Sequence, residues 1–463
     1  MPNLRRVNDK CYQPMIGVVK RISMAHLGLA LVLLAGASSF TAPSVSDGAL
    51  WLLVVLGGGL ALSRSGRSWS APLIWSGIWV VFVLSEAALA TVTGSVGQHF
   101  LGLEKHLPIV LGVVAALALA RACADLRLGP DTVLILLFSG IVIGTLIMLI
   151  DMDTVSFLSG THPDGKSGIG RFNRNFVALG CGMSLISAMS MLQYQFSIGR
   201  SLSARSVGIA AVLLVVVGVT GRLLVALEGR TALLATGVAV GVLFLVVLSD
   251  GNAGRKRAKI AASITIAVIA LFAVANLSRI THRFESFAAE NGEVLTDLAK
   301  GPGASVGTSL KDERLQMIAV AIDLIRQRPW LGWGPDASRL LDAYSPYPNL
   351  KIYQQFHNGY LQVIVSFGLI GAAIIVGLLG AVLREAKRGW GAAPPEQRFS
   401  RSLAGGAWAL CSYIAVTNAS ESIIFVKPVV VICVVLSALA CMRGAPPKEA
   451  PDSPKAVAAS PGS

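Results

Sequence analysis

DERLQMIAVAIDLIRQRPWLGWGPD (residues 312–336), followed after a polar spacer by FHNGYLQVIVSFGLIG (356–371), is the stretch around which this chain is organised. Apolar residues recur at helical spacing in its first part. They are Leu315, Ile318, Ile322 and Ile325. Pro329 ends this amphipathic helix, which is too polar to cross a bilayer. We therefore expect it to lie on a membrane surface or on the mouth of a helix bundle.

The second part brings a single histidine, His357, to the start of a long apolar helix. Asn358 is suited to cap that helix, so the imidazole is expected at its positive end, where the neutral ring is favoured. A neutral imidazole accepts a proton, which makes His357 a candidate general base. A structural histidine at the level of the lipid headgroups is the alternative.

The composition is that of a polytopic membrane protein. Of 463 residues, 54% are hydrophobic and only 14% are charged, which lies outside the range of soluble globular chains. The net charge of +14 is explained by basic cytoplasmic loops, because no compact basic domain with interleaved aromatic residues is present in the sequence. We therefore expect no nucleic-acid partner. The six cysteines are scattered without the spacing of a metal site.

Apolar runs long enough to cross roughly 30 Å of hydrocarbon predict about twelve transmembrane helices. Their predicted ranges are 19–39, 48–63, 71–91, 106–121, 131–150, 174–195, 206–224, 230–249, 260–277, 357–383, 402–419 and 425–442. The fold class is therefore all-α, with one large loop between the ninth and tenth spans.

Basic residues in the short loops place both termini in the cytoplasm and the large loop on the outer side. Residues 24–36 followed by ASSFTA imitate a signal peptide, but the long basic leader favours an uncleaved first helix. The predicted organisation has five parts. They are a cytoplasmic leader (1–18), spans one to nine (19–277), the large loop (278–356), spans ten to twelve (357–442) and a disordered cytoplasmic tail (443–463).

Ionisable residues, which are costly at membrane depth and usually mark function, gather near the outer ends of the spans. The candidates are Glu86, Arg171, Arg174, Arg222, Glu228, Arg230, Arg314 and Glu421. No Asp, Glu or Lys lies near the middle of a predicted span, where an ion-coupled transporter would need one. This distribution favours a reaction centre at the outer face.

Arginine suits anionic oxygen because its planar fork makes paired, charge-assisted hydrogen bonds and stays protonated. Several arginines at one surface are suited to clamp a pyrophosphate whose lipid tail remains in the bilayer. Arg230, which opens a helix after a tight turn, is the first candidate, followed by Arg222 and Arg314, with Arg171 and Arg174 as further support. The alternative for each is an interfacial anchor to lipid phosphates.

Short motifs, in order along the chain, resemble the O-antigen ligase and polymerase superfamily. They are Gly170–Asn175 (GRFNRN), Glu228–Leu234 (EGRTALL), Arg314–Leu315, Arg328–Gly334 (RPWLGWG), His357–Leu361 (HNGYL) and Phe367–Gly371 (FGLIG). Together with about twelve spans and one large periplasmic loop, the resemblance covers most of the chain. One departure is Gly229, which stands where the family usually has a serine.

The resemblance implies a GT-C-like multi-pass enzyme of the bacterial inner membrane whose site faces the periplasm. It implies transfer of a glycan from an undecaprenyl pyrophosphate carrier without a cofactor, metal or nucleotide sugar. His357 would be the general base, and Arg230, with Arg222 and Arg314, would recognise pyrophosphate. Direct displacement would invert the anomeric configuration. Glu86, Glu228 or Glu421 would orient the histidine or hold an arginine, and the sequence does not choose among them.

Three acceptors remain open within the superfamily: lipid A-core (a ligase), another carrier-linked glycan (a polymerase) or a protein Ser/Thr (an O-oligosaccharyltransferase). The ligase is preferred, because basic outer residues such as Lys166 suit the phosphates of lipid A-core. Outside the class, a solute transporter or a scaffold of a glycan-export complex remains possible. Neither accounts for a histidine that arrives at the same face as the arginines.

Overall fold

The computed structural model describes residues 71–92, 130–150, 174–197, 203–227, 229–248, 313–353, 355–392 and 401–422, with isolated positions elsewhere. All regular elements in these ranges are helices. The long ones are α1 (Ala71–Val92), α2 (Pro130–Ile150), α3 (Arg174–Ser197), α4 (Ala204–Ala226), α5 (Arg230–Leu248), α6 (Glu313–Gln327), α8 (Gly359–Ala392) and α9 (Arg401–Asn418). Between α6 and α8 lie the short helix α7 (Leu340–Tyr344) and two 3-10 turns, Ala337–Arg339 and Pro348–Ile352.

Four of the described helices are long and apolar enough to cross a membrane. They are Asp131–Ile150, Asn175–Phe196, Ala204–Ala226 and Gly359–Val382. Shorter apolar helices occupy Ile74–Leu89 and Thr231–Val246. The chain is therefore a helical membrane protein. Apart from isolated positions, the predicted spans 19–39, 48–63, 106–121, 260–277 and 425–442 lie outside the described residues, so the number twelve stays a prediction.

Helix α3 is the centre of the main bundle, with nearly all of its length buried among α2, α4, α5 and α9. It carries small polar side chains among its apolar ones. The hydroxyls of Ser187 and Ser190 are buried and donate to the carbonyls four residues earlier. Thr145, Thr220 and Thr236 do the same on α2, α4 and α5. Hydroxyls satisfied within their own helix are compatible with a bundle in lipid.

Helices α1 and α8 form a second contact, in which Trp79 meets Phe367 edge to face with 4.9 Å between ring centroids. The segment between residues 313 and 356, called the loop below, carries α6 and has a small core of its own. Its buried members include Met317, Leu324, Leu341, Leu350 and Phe356. Val365 on α8 belongs to the same core, so the loop is packed on the end of the bundle. This agrees with the expected amphipathic helix ended by Pro329.

A break in α8 receives the turn that follows α6. At Gly368 the backbone has φ 62° and ψ −168°, a conformation essentially restricted to glycine. The backbone amides of Trp333 and Leu369 donate to the carbonyls of Val365 and Pro329 at 2.9 and 2.8 Å. The RPWLGWG and FGLIG motifs are therefore the two halves of one joint, which fixes α6 relative to α8.

Candidate active site

Glu421, just beyond the end of α9, is the centre of a charged cluster. Its Oε2 atom lies 2.9 Å from Nδ1 of His357. Its Oε1 atom accepts hydrogen bonds from Nη2 of Arg314 at 2.8 Å and from Nδ2 of Asn175 at 2.9 Å. Four segments of the chain, the starts of α3, α6 and α8 and the end of α9, therefore meet at one carboxylate.

His357 has a positive φ of 49°, the only non-glycine residue with a positive φ among those described. This left-handed conformation costs a non-glycine residue about 1–2 kcal/mol. Its neighbours hold it there. Phe356 is buried in the loop core, and its backbone amide donates to Oε1 of Gln362 at 3.1 Å. On the other side, Oδ1 of Asn358 accepts from the amides two and three residues later, both at 3.1 Å. The expected cap of α8 is confirmed.

The hydrogen bond with Glu421 decides which tautomer the His357 ring adopts. An ionised carboxylate only accepts hydrogen bonds, so Nδ1 of the neutral ring must carry the hydrogen that Glu421 receives. The lone pair is then on Nε2, which becomes the atom able to take a proton. The imidazole is 17% exposed and Glu421 is 14% exposed, so the pair is reachable from the end of the bundle but largely withdrawn from water.

The start of α8 is fixed against the end of α9. Gly359 lies so close to Asn418 that a Cβ on the glycine would overlap the Oδ1 atom of the asparagine. The hydroxyl of Tyr360 also donates to the carbonyl of Ala415 at 2.9 Å. These contacts join the segment that carries His357 to the segment that carries Glu421.

The arginines proposed for pyrophosphate binding lie at the same end of the bundle. Arg314, with 47% of its side chain exposed, is in the first turn of α6. Arg222 is half-buried, one turn before the end of α4. Arg230 is the first residue of α5, and the next residue, Thr231, accepts a hydrogen bond of 2.6 Å from Ser420, adjacent to Glu421. The backbone of Arg230, at the start of α5, therefore lies beside the charged cluster.

Other expected residues are less completely described. Arg174 opens α3, next to Asn175, and the orientation of its side chain is outside the described structure, as is that of Arg230. Arg171 and Glu228 lie outside the described residues. Gly229, the departure from the family pattern, packs tightly on α3, since a Cβ there would lie 3.0 Å from Cβ of Ala178.

Glu86 and the two tryptophans of the RPWLGWG motif lie in different environments. Glu86 is buried on α1 and interacts electrostatically with Arg328. Arg328 also stacks on Trp333, 4.2 Å from the ring centroid, and Nε1 of Trp333 donates to the carbonyl of Leu324. Trp333 therefore makes its contacts within the joint between α6 and α8, whereas Trp330 is 64% exposed. Of Glu86 and Glu421, it is Glu421 that meets the histidine.

Several residues of the cluster were not singled out from the sequence. Asn175 is the last residue of the GRFNRN motif, but no role was proposed for it. Its polar side chain at the start of an apolar helix could have indicated one. Tyr353, which lies beside His357, and its partner Glu313 had no signal, because a contact between residues 40 positions apart leaves no local pattern.

Together, the fold and the cluster define a helical membrane protein with a histidine–carboxylate–arginine site at one end of its bundle. Residues 215–376 match the sequence model of the family described as O-Antigen ligase. This match supports a member of the O-antigen ligase and polymerase superfamily, a family of glycosyltransferase-like enzymes. A search of curated protein sequences found no match. The matched range includes Arg222, Arg230, Arg314 and His357 and ends before Glu421.

Proposed function

We propose that this protein is an O-antigen ligase, which transfers a glycan from undecaprenyl pyrophosphate to lipid A-core at the periplasmic face of the inner membrane. The observation that carries the proposal is the shared carboxylate, since Glu421 contacts both His357 and Arg314. A proton acceptor and a cation held next to each other are what transfer from a pyrophosphate donor requires.

In the proposed reaction, a hydroxyl of the acceptor sugar attacks the anomeric carbon of the donor glycan and gives its proton to Nε2 of His357. A new carbon–oxygen bond forms as the bond between the anomeric carbon and the pyrophosphate oxygen breaks. The electron pair leaves with undecaprenyl pyrophosphate, and the histidine later returns its proton to water. A single displacement of this kind inverts the anomeric configuration.

Arg230, Arg222 and Arg314 are proposed to neutralise the leaving pyrophosphate. Their guanidinium groups supply the positive charge that a metal ion provides in other phosphate-handling sites, so we expect transfer to proceed in the presence of a chelator. The lipid tail of the donor would remain in the bilayer beside the bundle. Asn358 supports the site by capping α8, and Arg171 and Arg174 are proposed to extend the cationic surface.

Reconstitution tests the proposal directly. Purified protein in lipid is incubated with an undecaprenyl pyrophosphate-linked glycan and lipid A-core, with EDTA and without nucleotide, and products are separated on a gel. Wild type is expected to shift the lipid A-core band. His357→Gln and Arg230→Ala are expected to lower the rate by at least about 10²-fold, the usual contribution of a positioned base or of a charge-stabilising group.

Matched controls replace the same residue types elsewhere. His26→Gln changes an exposed histidine, and Arg384→Gln changes an exposed arginine at the other end of α8. Both should transfer glycan as wild type does. Lengthening of the carrier-linked glycan without a shift of lipid A-core would replace the ligase assignment by a polymerase. Complete absence of transfer by folded wild type would reject both and favour a transporter or scaffold.

A further inference from the structure

His357 also has a second neighbour, Tyr353, which is paired with a carboxylate of its own. The ring of Tyr353 meets the imidazole edge to face, with 5.5 Å between centroids and 83° between planes. The hydroxyl of Tyr353 donates to Oε2 of Glu313. Tyr353 is half-buried and Glu313 is exposed, so both side chains can be reached from solvent.

Both neighbours of the histidine, Tyr353 and Glu421, are bonded by consecutive residues in the first turn of α6. Glu313 engages Tyr353, and Arg314 engages Glu421. The first turn of α6 thus supplies a negative group to Tyr353 and a positive group to Glu421. Two groups of opposite charge favour two different ligands.

The chemistry of Glu313 and of Arg314 suits a different ligand in each case. A carboxylate accepts hydrogen bonds from sugar hydroxyls and repels phosphate, whereas a guanidinium attracts phosphate. Within the described part of the chain, Oε1 of Glu313 makes no hydrogen bond, so it keeps its capacity to accept one. The Tyr353 ring adds an apolar surface of the kind that packs against the C–H face of a sugar.

The place of Tyr353 beside the His357 ring decides which sugar Tyr353 and Glu313 would meet. A hydroxyl that gives its proton to Nε2 must come within about 3 Å of it. The sugar ring that carries this hydroxyl must then contact the groups around the imidazole. Of the two described neighbours of the ring, Glu421 is already bonded to Arg314 and Asn175, which leaves Tyr353.

We propose that Tyr353 and Glu313 form the binding subsite for the acceptor sugar, a neutral ring whose hydroxyls are recognised beside His357. This inference rests on the proposed transferase function and adds an acceptor site to it. The acceptor binds at Tyr353 and Glu313, and the pyrophosphate of the donor binds at the arginines.

The test separates acceptor binding from donor binding. Initial transfer rates are measured with varied lipid A-core at saturating donor, and then with varied donor at saturating lipid A-core. If wild type lengthens the carrier-linked glycan instead, that glycan is the varied acceptor. For Glu313→Gln and Tyr353→Phe we expect the acceptor KM to rise about 10-fold, the scale of one lost hydrogen bond to a charged group. The donor KM and kcat should change less than about threefold, because the groups proposed for pyrophosphate and proton transfer stay in place.

The control is Asp323→Asn, which removes an exposed carboxylate from the same helix, where it bonds only Gln327 among the described residues. It should leave both KM values unchanged. Glu313→Asp, which keeps the charge, should recover part of the acceptor affinity. An unchanged acceptor KM in Glu313→Gln and Tyr353→Phe, with or without a lower unfolding temperature, would reduce the pair to a structural link. If wild type transfers nothing, the proposed function fails and the subsite with it.

Discussion

The carboxylate of Glu421 lies 2.9 Å from Nδ1 of His357, although the two residues are 64 positions apart in the chain. This contact fixes the ring so that Nε2 is the proton acceptor, and the same carboxylate holds Arg314. A base and a cation are therefore positioned by one group.

Removing the charge of Glu421 is expected to slow the reaction more than it weakens binding. Glu421→Gln should lower kcat by about 10²- to 10⁴-fold, because an orienting carboxylate selects the reactive tautomer of its histidine. The donor KM should change far less, since Arg314 keeps its charge. Steady-state kinetics of purified protein in lipid measure both quantities. Glu385→Gln, near the other end of α8, is the control, and Glu421→Asp should restore part of kcat. A kcat within threefold of wild type in Glu421→Gln would show that His357 needs no carboxylate.

Gly359 is expected to tolerate no side chain. In Gly359→Ala the new Cβ overlaps the buried Asn418 side chain, which must be displaced next to the segments that hold His357 and Glu421. We expect a loss of roughly 1–3 kcal/mol of stability and a large loss of activity. Thermal unfolding in detergent and the transfer assay measure these. Gly380→Ala on the same helix has nothing within 4 Å of its Cβ and should be neutral or stabilising by up to about 1 kcal/mol. Equal behaviour of the two variants would contradict the close contact.

Gly368 is expected to be required for the joint between the loop and α8. Alanine cannot adopt its backbone conformation without strain of about 1–3 kcal/mol, and the Cβ would also overlap the carbonyl of Trp330. Gly368→Ala should therefore lower the unfolding temperature and weaken the contact between Arg314 and Glu421. Gly237→Ala on α5, where a Cβ meets no atom within 4 Å, is the control. Wild-type stability in Gly368→Ala would exclude the interlocked joint.

The phenol of Tyr353 is expected to stay protonated far into the alkaline range. Its hydrogen bond to Glu313, then burial and the charge of Glu313, raise the pKa of Tyr353 to about 12, against the opposing charge of Arg314. Because the folded state holds this proton more tightly than the unfolded chain, the contribution of Tyr353 to stability is constant below pH of about 10. It is then lost as the pH rises towards 12.

The difference in phenolate absorbance between wild type and Tyr353→Phe measures this titration. In the background of Glu313→Gln the same difference should appear at lower pH, because the charged acceptor is gone. A wild-type midpoint near the ordinary tyrosine pKa of about 10 would disprove the hydrogen bond in solution.

The helices of the bundle were largely predictable because a membrane imposes a simple rule. An apolar run long enough to span must be helical, so the predicted ranges 131–150, 206–224 and 402–419 differ by no more than two residues at either end from α2, α4 and α9. His357 and its cap Asn358 were predictable for a related reason, since both stand at the boundary between a polar and an apolar segment.

By itself, the sequence determined the helical membrane class, the apolar helices of the described bundle and the chemical types available at the site, because hydrophobicity and charge act locally along the chain. Only the tertiary structure decided that Glu421, rather than Glu86, meets His357, and that Tyr353, bonded to Glu313, stands beside the ring. These contacts join residues from helices that are distant in sequence. Which of them meet depends on how the bundle and the loop pack, and packing is a property of the whole fold.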